Sequence, residues 1–151
     1  MTNIVAVSGG FDPLHEGHIR YLRGAWEIAQ INDAKVMVIL NTDKWLEKKG
    51  HGHPYYSYEQ RAEILEAIKY VDIVVPQIGE EMSIAESLRC YQPDVFAKGG
   101  DRTIDNLPED EVDVCNQLGI TIITGVGGTD KPNSSRWVIE KINNGTNDKM
   151  Y

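Results

Sequence analysis

The sequence predicts a single-domain α/β fold in which five parallel strands form one doubly wound sheet with helices on both faces. Three observations predict it. Five short apolar, β-branched runs are spread along the 151 residues, each of the length and character of a strand buried on both faces. Stretches with apolar residues at helical spacing separate them, the alternation that builds a parallel sheet through right-handed crossovers. The residues with chemistry to offer gather just after the strands, the edge at which open α/β sheets bind ligands.

The first strand is Ile4–Val7. From Gly17 a helix follows, with Ile19, Leu22, Ala25, Trp26 and Ala29 on one face, ending at Asn32-Asp33. Lys35–Leu40 is the second strand. Lys44–Tyr56, rich in Gly, Lys and His, reads as a long loop of the kind that forms lids or substrate contacts. Ser57 and Gln60 form a capping box for a helix running to about Tyr70, with Ala62, Leu65 and Ile68 inward. Val71–Val75 is the third strand, stopped by Pro76. Ser83–Tyr91 is helical, Pro93 breaks it, and Asp94–Ala97 is the fourth strand. Leu107-Pro108-Glu109 opens a helix that closes at Leu118-Gly119, Gly being the expected residue past a helix end. Ile120–Ile123 is the fifth strand, Gly125–Asn133 a loop, and Ser135–Ile142 a last helix capped by Asn133 or Ser134. The domain is thus expected over 1–142, with a polar tail at 143–151.

Hydrophobic residues make up 41% and charged residues 25%, a globular composition. The net charge of −8 argues against a nucleic-acid surface, so cations for an anionic ligand must be concentrated locally. No apolar run approaches the roughly 18 residues of a membrane span, and no basic segment leads into an apolar one. With Cys90 and Cys115 expected as free thiols, the protein is expected in the cytoplasm.

The first loop carries the densest chemistry: Gly9-Gly10-Phe11-Asp12-Pro13-Leu14-His15-Glu16-Gly17-His18. A strand turning into a helix presents unpaired N–H groups that attract phosphate. Gly9 and Gly10 let backbone approach a ligand, and Gly17 removes a Cβ from the first helical turn. His15 and His18 fall on one side of the helix start, where imidazoles can donate to phosphate oxygens and stabilise charge in a transition state. The alternative is a capped turn with two surface histidines. Asp12 either caps the turn or organises the histidines.

The pattern Gly9-x-Phe11-Asp12-x-x-His15-x-Gly17-His18 resembles the G-x-F-D-x-x-H-x-G-H signature of the cytidylyltransferase-like nucleotidyltransferases, and the chain is similar to that Rossmann-like family over nearly its whole length. The resemblance implies transfer of a nucleoside monophosphate from ATP or CTP to a sugar or polyol phosphate, with release of pyrophosphate. The turn Ala97-Lys98-Gly99-Gly100-Asp101 is similar to that of the heptose 1-phosphate adenylyltransferases of the family; the glycerol 3-phosphate cytidylyltransferases are the alternative. By resemblance, His15 and His18 hold the triphosphate, Lys44 is a second-loop cation, and Arg61 is functional. Lys131, Ser134 and Ser135 sit where the family binds the outer phosphates, an assignment that helix capping also supports. Mg²⁺ is expected to bridge the phosphates, and a homodimer is implied. Arg102 stands where the heptose enzymes carry Tyr, and Ser134-Ser135-Arg136 where the family has Ser-Thr-Thr, which leaves base and acceptor open.

Other residues admit plainer readings. Lys98, Gly99 and Asp101 either form a tight turn or touch base or ribose, and the ligand-edge position favours the latter. Arg61 taken alone reads as a solvated helix charge. Trp26 reads as core or subunit interface, and Trp137 is ambiguous. His51 and His53 do not follow metal spacing with an acid or Cys. A nucleotide-binding regulatory domain without turnover is the reading of a different class. A redox dinucleotide site lacks its G-x-G-x-x-G.

Overall fold

The computed structural model describes residues 3–100 and 102–128, without the side chain of His51. Asp101, Lys131, Ser134, Ser135, Arg136, Trp137, the last helix and the polar tail lie outside the described residues. Within them, β1 (Asn3–Gly9), α1 (Glu16–Ile31), β2 (Ala34–Leu40), α2 (Asp43–Leu46), α3 (Tyr58–Glu66), β3 (Ile73–Pro76), α4 (Ala85–Tyr91), β4 (Val95–Gly99), α5 (Glu109–Leu118) and β5 (Thr121–Val126) follow one another. The five strands form one parallel sheet in the order β3-β2-β1-β4-β5.

Side-chain alternation along the strands divides the core between two faces. Val5 and Val7 pack with Leu22 and Ala25 of α1 and Leu65 of α3. Ala6, Met37 and Ile39 pack with Leu88 of α4, Phe96, and Val114 and Cys115 of α5 on the other face. Every strand covered on both sides must be apolar throughout, which is why these segments show continuous rather than alternating hydrophobicity. Two aspartates tie strand starts to their neighbours: Asp94 Oδ2 accepts from Ile4 N at 2.7 Å and Asp72 Oδ2 from Val36 N at 2.9 Å.

Chain order reverses at β1, with β2 on one side and β4 on the other, so a crevice opens between β1 and β4 at their C-terminal ends. The two strands pair only at Val5–Val95 and Ala6–Phe96 and then diverge. The Tyr21 hydroxyl of α1 spans the gap, accepting from Ser8 N at 3.4 Å and donating to the Ala97 carbonyl at 2.5 Å.

The structure corrects two segments. Lys44–Tyr56 is not a loop throughout: α2 runs on into a π-helical turn, Glu47–His51, kinked at Gly50. Thr42 starts it, its hydroxyl accepting from Trp45 N at 3.1 Å, and buried Leu46 anchors it over Gly10. The helix from Ser57 stops at Glu66 rather than near Tyr70, and tight turns over 67–71 lead into β3. The Ser57–Gln60 capping box is present as expected.

Candidate active site

The start of α1 is built by its two histidines. His15 is the N-cap, its Nδ1 accepting from Gly17 N at 3.1 Å, and His18 Nδ1 accepts from His15 N at 3.1 Å. This is a capping box in which imidazoles take the roles usually held by a hydroxyl and a carboxylate. An acceptor Nδ1 carries no proton, so each ring in its neutral form holds its hydrogen on Nε2. The rings stack 3.8 Å apart at 25°. Burial, and secondarily the neighbouring His15, lower the His18 pKa from 6.5 to about 3. His18 is therefore a neutral Nε2–H donor at ordinary pH, and it lines the cleft. Phe11 packs on it at 4.8 Å and holds a backbone φ of 50°, a conformation a bulky residue adopts only when its surroundings enforce it. Phe11 is 5% exposed, so its ring's place in the core supplies that enforcement.

The cleft has a volume of about 470 Å³ and opens where β1 and β4 part. Gly9, Gly10 and Phe11 line it together with His18, Tyr21, Lys98 and Gly99. The need for glycine here is internal as well as ligand-directed. A Cβ on Gly10 would lie 2.8 Å from Leu46, and one on Gly99 2.9 Å from the Tyr21 ring.

Asp12 takes neither role weighed for it. Its carboxylate accepts from Tyr55 N at 2.8 Å and Tyr56 N at 2.9 Å, pinning the end of the Lys44–Tyr56 segment to the first loop. Arg61 is 1% exposed, not solvated. Its guanidinium donates to the carbonyls of Tyr56 (3.0 Å), Gly10 (3.0 Å) and Asn41 (2.8 Å) and to Asp43 (2.7 Å). One side chain thus joins the loops after β1 and β2 to the start of α3.

Lys44 stands apart from the cleft: its ammonium is exposed and paired with Glu80 at 3.3 Å. Lys49, one helical turn on, lines the cleft instead, with its Nζ 4.7 Å from the centre of the Trp45 ring. Lys98 lies over Phe96 at 4.9 Å, and burial lowers its pKa while Glu111 opposes the shift. Arg102 joins Lys49 and Lys98 in the lining. An acidic protein has thereby gathered cations at one cleft. Trp26 is half-buried against Tyr70 at 5.6 Å, away from the cleft, and His53 lies 3.2 Å from Glu47.

Among the lining residues that the sequence does not mark out are Tyr21, Lys49 and Glu111. Glu111 is 4% exposed, its Oε2 accepts from Ile84 N at 3.0 Å, and burial raises its pKa against the pull of Lys98.

A sequence model of the cytidylyltransferase-like family matches residues 6–126. The chain belongs to that family. It is 41% identical over 102 residues to an FAD synthase of Pyrococcus abyssi, covering 67% of this chain and 65% of that protein. It is 39% identical over 97 residues to a glycerol-3-phosphate cytidylyltransferase of Staphylococcus aureus, covering 64% of this chain and 69% of the relative. It is 31% identical over 151 residues to the bifunctional protein HldE of Pseudomonas fluorescens, covering 94% of this chain and 28% of HldE. Among solved structures, a lipopolysaccharide core biosynthesis protein from Thermoplasma volcanium superposes with a TM-score of 0.64 at 26% identity, over 86% of this chain and all of the other. The nucleotidyltransferase family and the doubly wound fold expected from the sequence are both established by these findings. No helix among the described residues is long and apolar enough to cross a membrane.

Proposed function

We propose that the cleft transfers a nucleoside monophosphate from a nucleoside triphosphate to a small phosphorylated acceptor. An acceptor phosphate oxygen bonds to the α-phosphorus, the bond from that phosphorus to the oxygen bridging to the β-phosphate breaks, and pyrophosphate leaves with the electron pair. The observation that supports this is the stacked pair of imidazoles at the α1 N-terminus, with both Nδ1 atoms locked as acceptors. Donors fixed before the substrate arrives stabilise transition-state charge without reorganising. Positioning and charge neutralisation are most of what such a transfer requires.

Lys49 and Arg102 extend the positive wall toward the phosphates. Lys131, Ser134 and Ser135 are assigned the outer phosphates, Lys98, Gly99 and Asp101 the nucleoside, and Lys44 a peripheral charge beside the acceptor. Among the described residues no three His, Cys, Asp or Glu side chains converge as metal ligands. Mg²⁺ would enter with the triphosphate and would neutralise phosphate charge there.

A heptose 1-phosphate with ATP is the first reading, by the Lys98–Asp101 turn, and glycerol 3-phosphate with CTP the alternative. A cytoplasmic homodimer belongs to the same reading. A phosphorylated flavin is a second reading with its own support, since Trp45, Tyr55 and Met82 line the cleft and offer a flat ring apolar and aromatic surface. The test is a matrix of ATP, CTP and GTP against these acceptors, read by pyrophosphate release. His18→Ala should lower turnover by about 100-fold or more, the scale of one lost transition-state donor, while circular dichroism stays native. Tight nucleotide binding with no release for any acceptor would instead identify a regulatory domain.

A further inference from the structure

Glu111 presents an unmet requirement inside the cleft. It is 4% exposed, one carboxylate oxygen is held by Ile84 N at 3.0 Å, and the other, Oε1, is the single buried side-chain nitrogen or oxygen without a hydrogen-bond partner among the described residues. The residue lines the cleft, as does Lys98. The Lys98 ammonium rests 4.9 Å over the Phe96 ring, and no described carboxylate lies within ion-pairing distance of it. An acceptor and a donor of opposite charge thus stand unmatched in one wall.

We infer that Glu111 and Lys98 form a recognition pair for the hydroxyl groups of a substrate: an alcohol O–H donates to Glu111 Oε1, and the Lys98 ammonium donates to an alcohol oxygen. The inference rests on the transferase reading, because it takes the occupants of the cleft to be phosphorylated alcohols. The chemistry of the pair selects the ligand group. A carboxylate repels phosphate and an ammonium repels an amine, whereas a neutral hydroxyl both donates and accepts and satisfies both partners. The phosphates are left to the imidazole end and to Lys49. Two substrates carry such hydroxyls, through the ribose of the nucleotide or the polyol of the acceptor, and their shared alcohol chemistry is what the pair reads.

The test is direct binding to the full chain by calorimetry. One arm compares ATP with 2′-deoxy-ATP and 3′-deoxy-ATP. The other compares glycerol 3-phosphate with 3-hydroxypropyl phosphate, which lacks the middle hydroxyl. The native chain should favour the hydroxylated member of one arm by about tenfold or more, the scale of a hydrogen bond to a charged group. Glu111→Gln keeps an oxygen for Ile84 N and puts N–H₂ where Oε1 stood. It should cut affinity for the hydroxylated ligand severalfold and leave the deoxy ligand's affinity unchanged, because a hydrogen bond from a neutral amide to the alcohol oxygen replaces a charge-assisted one. Glu111→Ala, checked for native circular dichroism, should abolish the preference. The inference is overturned if neither arm discriminates, if Glu111→Ala retains the full preference, or if either variant alters only the choice between ATP and ITP, which would make the pair a base reader. Pyrophosphate release separates the two readings. Release with an unaltered hydroxyl preference sinks the pair alone, and a Glu111-dependent preference without release for any acceptor sinks the transferase alone. Absence of binding by every ligand sinks both.

Discussion

Replacing Arg61 with alanine should destabilise the fold by about 3–5 kcal/mol, the range for breaking a buried, hydrogen-bonded charge. The sum can be traced bond by bond. The Asn41 carbonyl, 2.8 Å from the guanidinium in a fully buried bond, loses its side-chain donor, at about 1–3 kcal/mol for a buried unsatisfied group. The Gly10 and Tyr56 carbonyls, each 3.0 Å away and half-buried, regain water in part and cost roughly 0.5–1 kcal/mol each. The Asp43 side chain is 41% exposed and returns to solvent at little cost. The cavity left by the guanidinium raises the total. Against the 5–15 kcal/mol typical of a domain this is a large fraction, and it corresponds to a fall in Tm of roughly 6–20 °C for a chain of this size. Urea unfolding at constant slope gives the number, with thermal melting as a second measure. Arg61→Lys keeps the charge but not the fork of donors, so it should recover less than half the loss. An Arg61→Ala protein within about 1 kcal/mol of the parent, a difference ordinary for surface substitutions, would refute the assignment of this residue as a joint. A variant that melts normally yet loses nucleotide affinity would make the guanidinium a substrate ligand instead.

The remaining predictions concern the cleft wall. Because the folded chain holds His18 near a pKa of about 3 and the unfolded chain near 6.5, the unfolded state alone takes up a proton between those values, and stability falls as pH drops through that window. At pH 5 the deficit is about 2 kcal/mol, and the stability difference between the native chain and His18→Gln should narrow by that amount between pH 7 and 5; a difference independent of pH contradicts it. Tyr21→Phe removes the hydroxyl that bridges Ser8 N and the Ala97 carbonyl and should cost about 1–3 kcal/mol in urea unfolding, with no loss counting against the bridge. Lys49→Ala should raise a substrate KM about tenfold, the scale of a lost charged hydrogen bond, whereas Lys44→Ala should change KM and kcat by no more than about twofold, as for an exposed pair; steady-state kinetics giving the reverse order would make Lys44, not Lys49, the cation that meets the substrate.

The parts of this site that can be read in the sequence are those whose geometry is local. His15, Gly17 and His18 interact within one helical turn, so their spacing alone states the arrangement. Ser57 and Gln60 are legible for the same reason. The central strands are legible because burial of β1, β2 and β4 on both faces makes their middle residues continuously apolar. Tyr21 was hidden because its partners are 13 and 76 positions away, and only the divergence of β1 from β4 brings them together. Glu111 was hidden by its neighbours: within Glu109-Asp110-Glu111-Val112-Asp113 it resembles any solvated acid, and the packing of α5 beside Ile84 is what buries it. Arg61 carries the same lesson, since a helical arginine declares burial only when the carbonyls of two distant loops, at Gly10 and Asn41, meet it. At Lys44–Tyr56, composition pointed to a loop, while the helical turns at its start depend on the cap at Thr42 and the burial of Leu46.

The first helical turn has a consequence for mechanism that neither histidine would have alone. A free imidazole chooses between two tautomers and a cation, and a catalyst that needs one of the three must exclude the others. Here the exclusions come from the bonds that start the helix. Each Nδ1 is occupied by a backbone N–H, which removes one tautomer, and burial of His18 against Phe11 removes the cation. The stacking of the rings at 3.8 Å also opposes charging of both at once. On the proposed transferase reading, helix capping and preorganisation of the phosphate donors are then a single set of hydrogen bonds. Substitutions that leave His15 and His18 in place but strain the turn should therefore reach the chemistry through tautomer and orientation. At Gly17 the backbone N–H holds His15 Nδ1 at 3.1 Å, so a residue that moved that N–H would loosen the donor even with both imidazoles intact.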